Sequence, residues 1–266
     1  MPRTTLTRNS RILAPTLRGV ARNVVRHRSE LRHHVVRDAW TIVKRFGAET
    51  VVNIEKREIP WLLATTVEGY LDDNQRLILA ALAQATRSKT FFEIGTNRGR
   101  TTWTVARNNP DLSAFTLDVS PRDGSEAMMF ELDSADHAWL GAGGACGDAF
   151  RDTPEGDRIT QLWGDSATFD FSPFEGRMDL VYVDGAHTYD YVRSDTAAAL
   201  RMLGPTGTII WDDYTTGPFV YQYITELAPT VDRPIYHIFG TRMAIYSRQE
   251  IVTRLPFNDH ESVPGG

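Results

Sequence analysis

Short apolar runs alternate with longer stretches in which apolar residues return every three or four positions, from about residue 70 to residue 248. "TFFEIG", "AFTLDVS", "ITQLWGD", "MDLVYVDG" and "GTIIWDDY" are too short for helices and rich in β-branched or aromatic residues, so each predicts a strand. "RTTWTVARNN", "YDYVRSDTAAALRML" and "FVYQYITELA" between them predict helices. A further helix, "LDDNQRLILAALAQATRS", precedes the first strand, with Asp72, Asp73 or Asn74 as its cap and Leu77, Ile78, Ala81 and Leu82 as its buried stripe. "PIYHIFG" and "RMAIYSR" predict two last strands joined tightly at Gly240 and Thr241. Strands separated by helices imply a mostly parallel sheet covered on both faces. The expected fold is α/β: a Rossmann-like, doubly wound sheet of seven strands, mostly parallel, ending in a C-terminal antiparallel strand.

Ahead of this pattern, Leu17, Val20, Val24, Leu31, Val35, Ile42 and Phe46 follow helical spacing and predict an N-terminal helical extension. The expected divisions are a basic helical extension over residues 1–68, a ligand-binding domain over 69–250 and a tail over 251–266. Charge sharpens this division. Residues 1–45 hold eleven Arg or Lys against Glu30 and Asp38, which places about +9 on the arm and about −14 on the rest of a chain of net charge −5. Such an arm packs on the body or on a second subunit, lies on an anionic membrane surface, gates a substrate, or serves as a targeting peptide. Homo-oligomerisation through these helices is expected. One cysteine, Cys146, excludes an internal disulfide and a cysteine-cluster metal site. No apolar run reaches the roughly 18–20 residues that span a bilayer. A soluble, cytoplasmic protein is the expectation. The stretch 121–160, with its glycine-rich "GAGGACGDAF", follows no strand directly and predicts a connection or a mobile segment near the site, not a phosphate loop.

The candidate chemistry gathers at strand ends. "FFEIGTNRGRTTW" sets Glu93, Gly95, Thr96 and Gly99 between a strand and a helix, where glycines let the chain turn sharply and a ligand approach the backbone. The spacing is not that of the G-x-G-x-x-G dinucleotide fingerprint, and no P-loop lysine follows. Asp118 closes the next strand, at the distance where an acid meets ribose hydroxyls in nucleotide-binding βαβ units. Asp184 ends the fourth strand, and Asp212 and Asp213 end the fifth. Functional groups of a parallel sheet collect beyond the carboxyl ends of its strands, so these three acids are expected to share one crevice. Three uncompensated carboxylates would raise one another's pKa, and an oxygen-only set suits Mg²⁺ or another divalent cation. His187, three residues past Asp184, is a candidate general base, or else a loop histidine bound to backbone.

The glycine loop, Asp118, "GDS" at Gly164 to Ser166 and "VDGAH" at Val183 to His187 resemble class I S-adenosylmethionine-dependent methyltransferases. More narrowly, they are similar to the small O-methyltransferases that include metal-dependent sugar methyltransferases of macrolide biosynthesis. The likeness covers Tyr70 to Arg248. It implies S-adenosylmethionine as cofactor, with the Gly95–Gly99 loop and Glu93 at its methionine part, Asp118 at the ribose, and Asp165 and Ser166 by the adenine. It also implies a divalent ion held by Asp184, Asp212 and Asp213, with Asp184 and His187 as catalytic residues. The expected reaction is methyl transfer to a hydroxyl of a small molecule, a sugar or another natural-product metabolite.

Other readings stand beside it. A metal-independent methyltransferase would use the acid cluster to hold a substrate amine. A related branch of the family is linked to oxidative tailoring of β-lactams, so fold alone leaves the reaction open. A non-catalytic cofactor-binding protein would use the basic arm for interaction. The arm lacks the aromatic-basic motifs of nucleic-acid modules, so a nucleic-acid substrate is not expected.

Overall fold

The computed structural model describes residues 34–38, 73–120, 128–141, 146–214, 216–239 and 241–249. In chain order the described elements are β1 (His34–Asp38), α1 (Asp73–Ala85), β2 (Thr90–Ile94), α2 (Arg100–Asn108), β3 (Ser113–Asp118) and α3 (Ser134–Gly141). They continue as β4 (Ile159–Trp163), β5 (Met178–Val183), α4 (Tyr189–Met202), β6 (Leu203–Trp211), α5 (Pro218–Leu227), β7 (Ile235–Phe239) and β8 (Ala244–Ser247).

Each predicted strand and helix from residue 73 onward is present. The strands form one sheet in the order β1-β7-β8-β6-β5-β2-β3-β4. β8 pairs antiparallel with both β6 and β7, while the other pairings are parallel, so β8 is the one strand running against the rest. It is inserted between β6 and β7 instead of lying at the sheet edge.

The N-terminal expectation is corrected in part. His34–Asp38, inside the stretch read as helical, is a strand that pairs parallel with β7 and gives the sheet an eighth member. Val35 and Val36 sit adjacent there, and β-branched neighbours suit an extended chain. A parallel partner two hundred residues away leaves no local mark. The remainder of residues 1–68, and the tail 251–266, lie outside the described residues.

Alternation along the strands divides the core into two layers. Phe91, Leu180, Tyr182 and Ile210 face one side with Leu79 and Leu82 of α1 and Trp103 and Val105 of α2. Phe92, Val181, Val183, Ile209 and Trp211 face the other with Val192 and Met202 of α4 and Val220 and Ile224 of α5. Phe91 and Phe92 are completely buried on opposite faces, each burial contributing about 1.5–3 kcal/mol. This double cover fixes β2 in the centre and leaves its carboxyl end, with those of β3, β5 and β6, as the open rim. Among the described residues no helix is long and apolar enough to cross a membrane.

Candidate functional site

The rim is built first by glycine. Gly95 leaves β2 with φ +98°, and a Cβ on it would lie 2.0 Å from the carbonyl oxygen of Asp184. The loop can therefore cross against the end of β5 only without a side chain. The main-chain N–H of Asp184 donates to Ile94 O at 2.9 Å, which locks the two strand ends together. Gly99, with φ +78°, opens α2, and a Cβ there would meet the Phe150 ring at 2.4 Å. Part of the glycine-rich segment, expected as a connection or a mobile segment near the site, lies against the loop: Gly147 N–H and Ala149 N–H donate to Asn97 O and Arg98 O.

Asp118 ends β3 beside this loop. Its Oδ2 accepts the N–H groups of Thr96 (3.1 Å) and Asn97 (2.8 Å), and its Oδ1 that of Val119 (2.7 Å). Burial pushes its pKa up, against the pull of these donors. Thr96 Oγ1 lies 2.7 Å from Thr116 Oγ1 and accepts from Gln161 Nε2 at 3.0 Å. Glu93 lies beneath the loop, 1% exposed, its Oε2 taking the hydroxyls of Thr102 and Thr116. Burial raises its pKa to about 8. Asp165 is buried, with Oδ1 accepting from Ala167 N–H (3.0 Å) and Oδ2 from Met129 N–H (2.7 Å). Ser166, half-buried beside it, adjoins the buried Asp195, whose pKa is pushed up to about 7 by burial.

The acids beyond β5 and β6 come together, but unequally. Asp212 is 3% exposed and both its oxygens are engaged: Oδ1 by Gln75 Nε2 of α1 at 3.0 Å, Oδ2 by Arg242 Nη2 at 2.7 Å. Asp213, with φ +52°, turns the other way. Its Oδ1 accepts from Thr216 Oγ1 and lies 3.2 Å from Arg242 Nη1, and its Oδ2 lies 2.9 Å from His187 Nε2. Donor atoms of Asp184, His187 and Asp213 all fall within 4.8 Å of one another. The set that converges is therefore Asp184, His187 and Asp213, with Asp212 drawn back by Gln75 and Arg242.

Electrostatics follow this division. Burial, then the charges of Asp212 and Asp213, push the Asp184 pKa well up. Burial and Asp213 also push Asp212 up, with Arg242 opposing. Burial works against the charge on Asp213, yet His187 and Arg242 hold its carboxyl well below the usual range. Burial likewise opposes a charge on His187, but hydrogen bonding to Asp136 and Asp213 raises its pKa to about 11. His187 is thus held between two carboxylates, with Nδ1 2.7 Å from Asp136 Oδ1 and Nε2 2.9 Å from Asp213 Oδ2.

Three residues of this cluster escape sequence reading: Gln75, Asp136 and Arg242. Gln75 lies on a helix whose apolar stripe draws the eye, Asp136 on a short helix without a strong period, and Arg242 in the turn between β7 and β8. Tyr191 and Tyr214 are fully buried core, whereas Tyr189 is half-buried and donates to Glu226. His237 is buried within β7, with Nε2 2.9 Å from Thr241 O, away from this cluster.

No curated protein matches this chain in sequence. Among solved structures, it is similar to a Podospora anserina methyltransferase bound to S-adenosylhomocysteine, at 18% identity over 92% of this chain and 96% of that one, TM-score 0.49. An O-methyltransferase from Bacillus cereus, also with S-adenosylhomocysteine, aligns at 15% identity over 74% and 90%, TM-score 0.49. The tomaymycin-synthesis O-methyltransferase of Streptomyces achromogenes aligns at 18% over 74% and 86%, TM-score 0.44. The family model of a methyltransferase domain matches residues 92–214, which run from the middle of β2 to just past the Asp212–Asp213 pair. Setting β1 aside and counting β2 as the first strand, the sheet order from the β4 edge reads 3-2-1-4-5-7-6. The match makes residues 92–214 similar to a methyltransferase domain, and the Gly95 turn, Asp118, Asp184, His187 and the Asp212–Asp213 pair all lie within it.

Proposed function

We propose that this enzyme transfers the methyl group of S-adenosylmethionine to a hydroxyl of a small molecule, a sugar or another natural-product metabolite. The observation carrying this reading is the convergence of Asp184, His187 and Asp213 beside the Gly95 turn, so that an acceptor oxygen and a sulfonium methyl can meet over one rim. Gly95, Thr96 and Gly99 would border the methionine part of the cofactor, with Glu93 bracing the loop from below. Asp118 would take the ribose hydroxyls, and Asp165 and Ser166 the adenine.

In the transfer, the acceptor oxygen forms a bond to the methyl carbon as the sulfonium S–C bond breaks, and S-adenosylhomocysteine leaves. The hydroxyl proton would go to His187 Nε2 once that nitrogen, 2.9 Å from Asp213 Oδ2, has given up the proton that Asp136 and Asp213 hold on the ring. The donor set fits a divalent cation: Asp184 brings a carboxylate pushed up by its neighbours, for which a counter-charge is favourable, and Asp213 a carboxylate oxygen beside it. Such an ion supplies Lewis acidity to the hydroxyl and relieves the acids. Nε2 can act as ligand or as base, not both at once, and this reading keeps it as base. Asp212 then stands behind the site, orienting through Gln75 and Arg242.

A second reading, a metal-independent methyltransferase, is favoured by Arg242, which already sets a positive charge against Asp212 and Asp213. The two separate in one assay. Turnover is followed with a panel of polyols and phenols, with a chelator and after adding back Mg²⁺ or Mn²⁺. Chelation should abolish turnover, and Asp213→Asn should abolish it while leaving cofactor affinity within about threefold. Full turnover in chelator decides for the second reading.

A further inference from the structure

His187 is gripped from the stretch 121–160, which the sequence marks only as a connection or a mobile segment near the site. Asp136 lies near the start of α3, where Asp133 Oδ1 accepts the N–H groups of Ala135 and Asp136 at 2.8 Å each. Its side chain is 7% exposed, and both of its oxygens turn to one residue. Oδ2 accepts the main-chain N–H of His187 at 2.9 Å, and Oδ1 lies 2.7 Å from the ring Nδ1. One oxygen thus fixes the loop and the other fixes the ring, so a flip of the imidazole would break the second bond. An ionised carboxylate only accepts, so Nδ1 must carry the hydrogen. The same bond turns the other nitrogen, Nε2, toward Asp184 and Asp213, with Asp213 Oδ2 2.9 Å away.

We propose that Asp136 is a positioning residue for methyl transfer: it sets the plane of the His187 ring and holds Nδ1, so that Nε2 addresses the acceptor hydroxyl. The inference rests on the reading of His187 as the base. An outer carboxylate that orients an imidazole without touching the substrate is a general device, and losing it leaves the ring in place but wrongly presented. The rest of the segment has its own anchors. Met129 N–H donates to Asp165, Thr188 Oγ1 donates to Glu131 O at 2.9 Å, and the Phe130 and Tyr191 rings pack edge to face at 5.3 Å. Substitution at 136 therefore spares the docking of 128–133.

The test uses full-length Asp136→Asn, Asp136→Ala and His187→Gln, with active molecules counted by cofactor binding so that any loss of folded protein is divided out. An Asn amide must point its NH₂ at Nδ1 or at the main-chain N–H, so it loses one bond or inverts the tautomer. Asp136→Asn should lower kcat by about 10²–10³-fold with KM and cofactor Kd within about threefold. Formate, a carboxylate small enough for the space left in Asp136→Ala, should recover kcat by about tenfold and leave the wild type unchanged. The proposal is overturned if Asp136→Asn keeps wild-type kcat per folded molecule while His187→Gln is inactive, or if kcat falls with no formate rescue. Full activity in His187→Gln would remove the base reading itself, and this inference with it.

Discussion

Arg242 Nη2 lies 2.7 Å from Asp212 Oδ2, and the same guanidinium reaches Asp213 Oδ1 at 3.2 Å. A buried strand can end in two adjacent carboxylates because a third element, the β7–β8 turn, brings their counter-charge. The pair is fastened further by Gln75 from α1, so the clamp also ties three parts of the fold together.

Removing the guanidinium should therefore expose the cost of the acid pair. Arg242→Met leaves Asp212 buried with an uncompensated charge, and we expect a loss of about 3–5 kcal/mol at pH 8 in urea denaturation. The loss should shrink toward pH 5, because Asp212, its pKa already pushed up by burial, then takes a proton. Adding Asp212→Asn to Arg242→Met should restore part of the stability. Simple additivity of the two changes would mean that the clamp contributes nothing.

Gly95→Ala is expected to damage both folding and cofactor binding. The added methyl meets a main-chain oxygen at 2.0 Å, and φ +98° is strained for any side chain. Because the obstacle is backbone, no rotamer change relieves it. A destabilisation of more than about 2 kcal/mol is expected, with cofactor affinity reduced in whatever protein remains folded. A well-folded Gly95→Ala with unchanged affinity would show that the loop does not need this close approach to Asp184.

How much of this was readable in advance follows from where each residue gets its partners. Asp184, His187 and Asp213 stand at the ends of strands whose period is plain, and topology alone sends strand ends to one rim. Gly95 and Gly99 mark a strand-to-helix turn. What escaped depends on partners far along the chain. The β1 pairing with β7 is non-local, and the spacing of apolar residues around it imitates a helix. Asp136 matters only because α3 folds back to residue 187, and Arg242 only because β8 is inserted beside β6. Asp212 was grouped with Asp184 and Asp213 by its place in the strand, but Gln75 and Arg242, both invisible locally, draw its oxygens away.

Glu93 is a place where the fold tolerates a disfavoured charge. Its pKa, raised by burial from the ordinary value to about 8, means that the folded protein holds this proton more tightly than the unfolded chain. The group's contribution is present below about pH 4.5 and is lost as pH rises through 8. Glu93→Gln keeps an acceptor for the Thr102 and Thr116 hydroxyls and never ionises. We expect its stability advantage over the wild type to grow from pH 4.5 to 8 and then level, reaching up to about 4 kcal/mol. Parallel pH profiles for the two proteins would contradict the burial of a titrating acid at this position.

His187 gives a second, separable pH signature. Its pKa is raised from 6.5 to about 11 by Asp136 and Asp213, against the effect of burial. Stability from this proton is complete below pH 6.5 and is lost as pH climbs through 11. Between those limits the folded state holds one proton that the unfolded state has released, so unfolding free energy falls by at most about 1.4 kcal/mol per pH unit. Glu93 contributes a slope of the same sign below pH 8, so the comparison must be between wild type and His187→Gln, in which Glu93 is common to both. Measured in chelator at pH 7, 8.5 and 10, the difference in stability between the two should narrow steadily as pH rises. A difference that stays constant across that range would mean that His187 sits neutral between Asp136 and Asp213, and that the two carboxylates do not hold its proton.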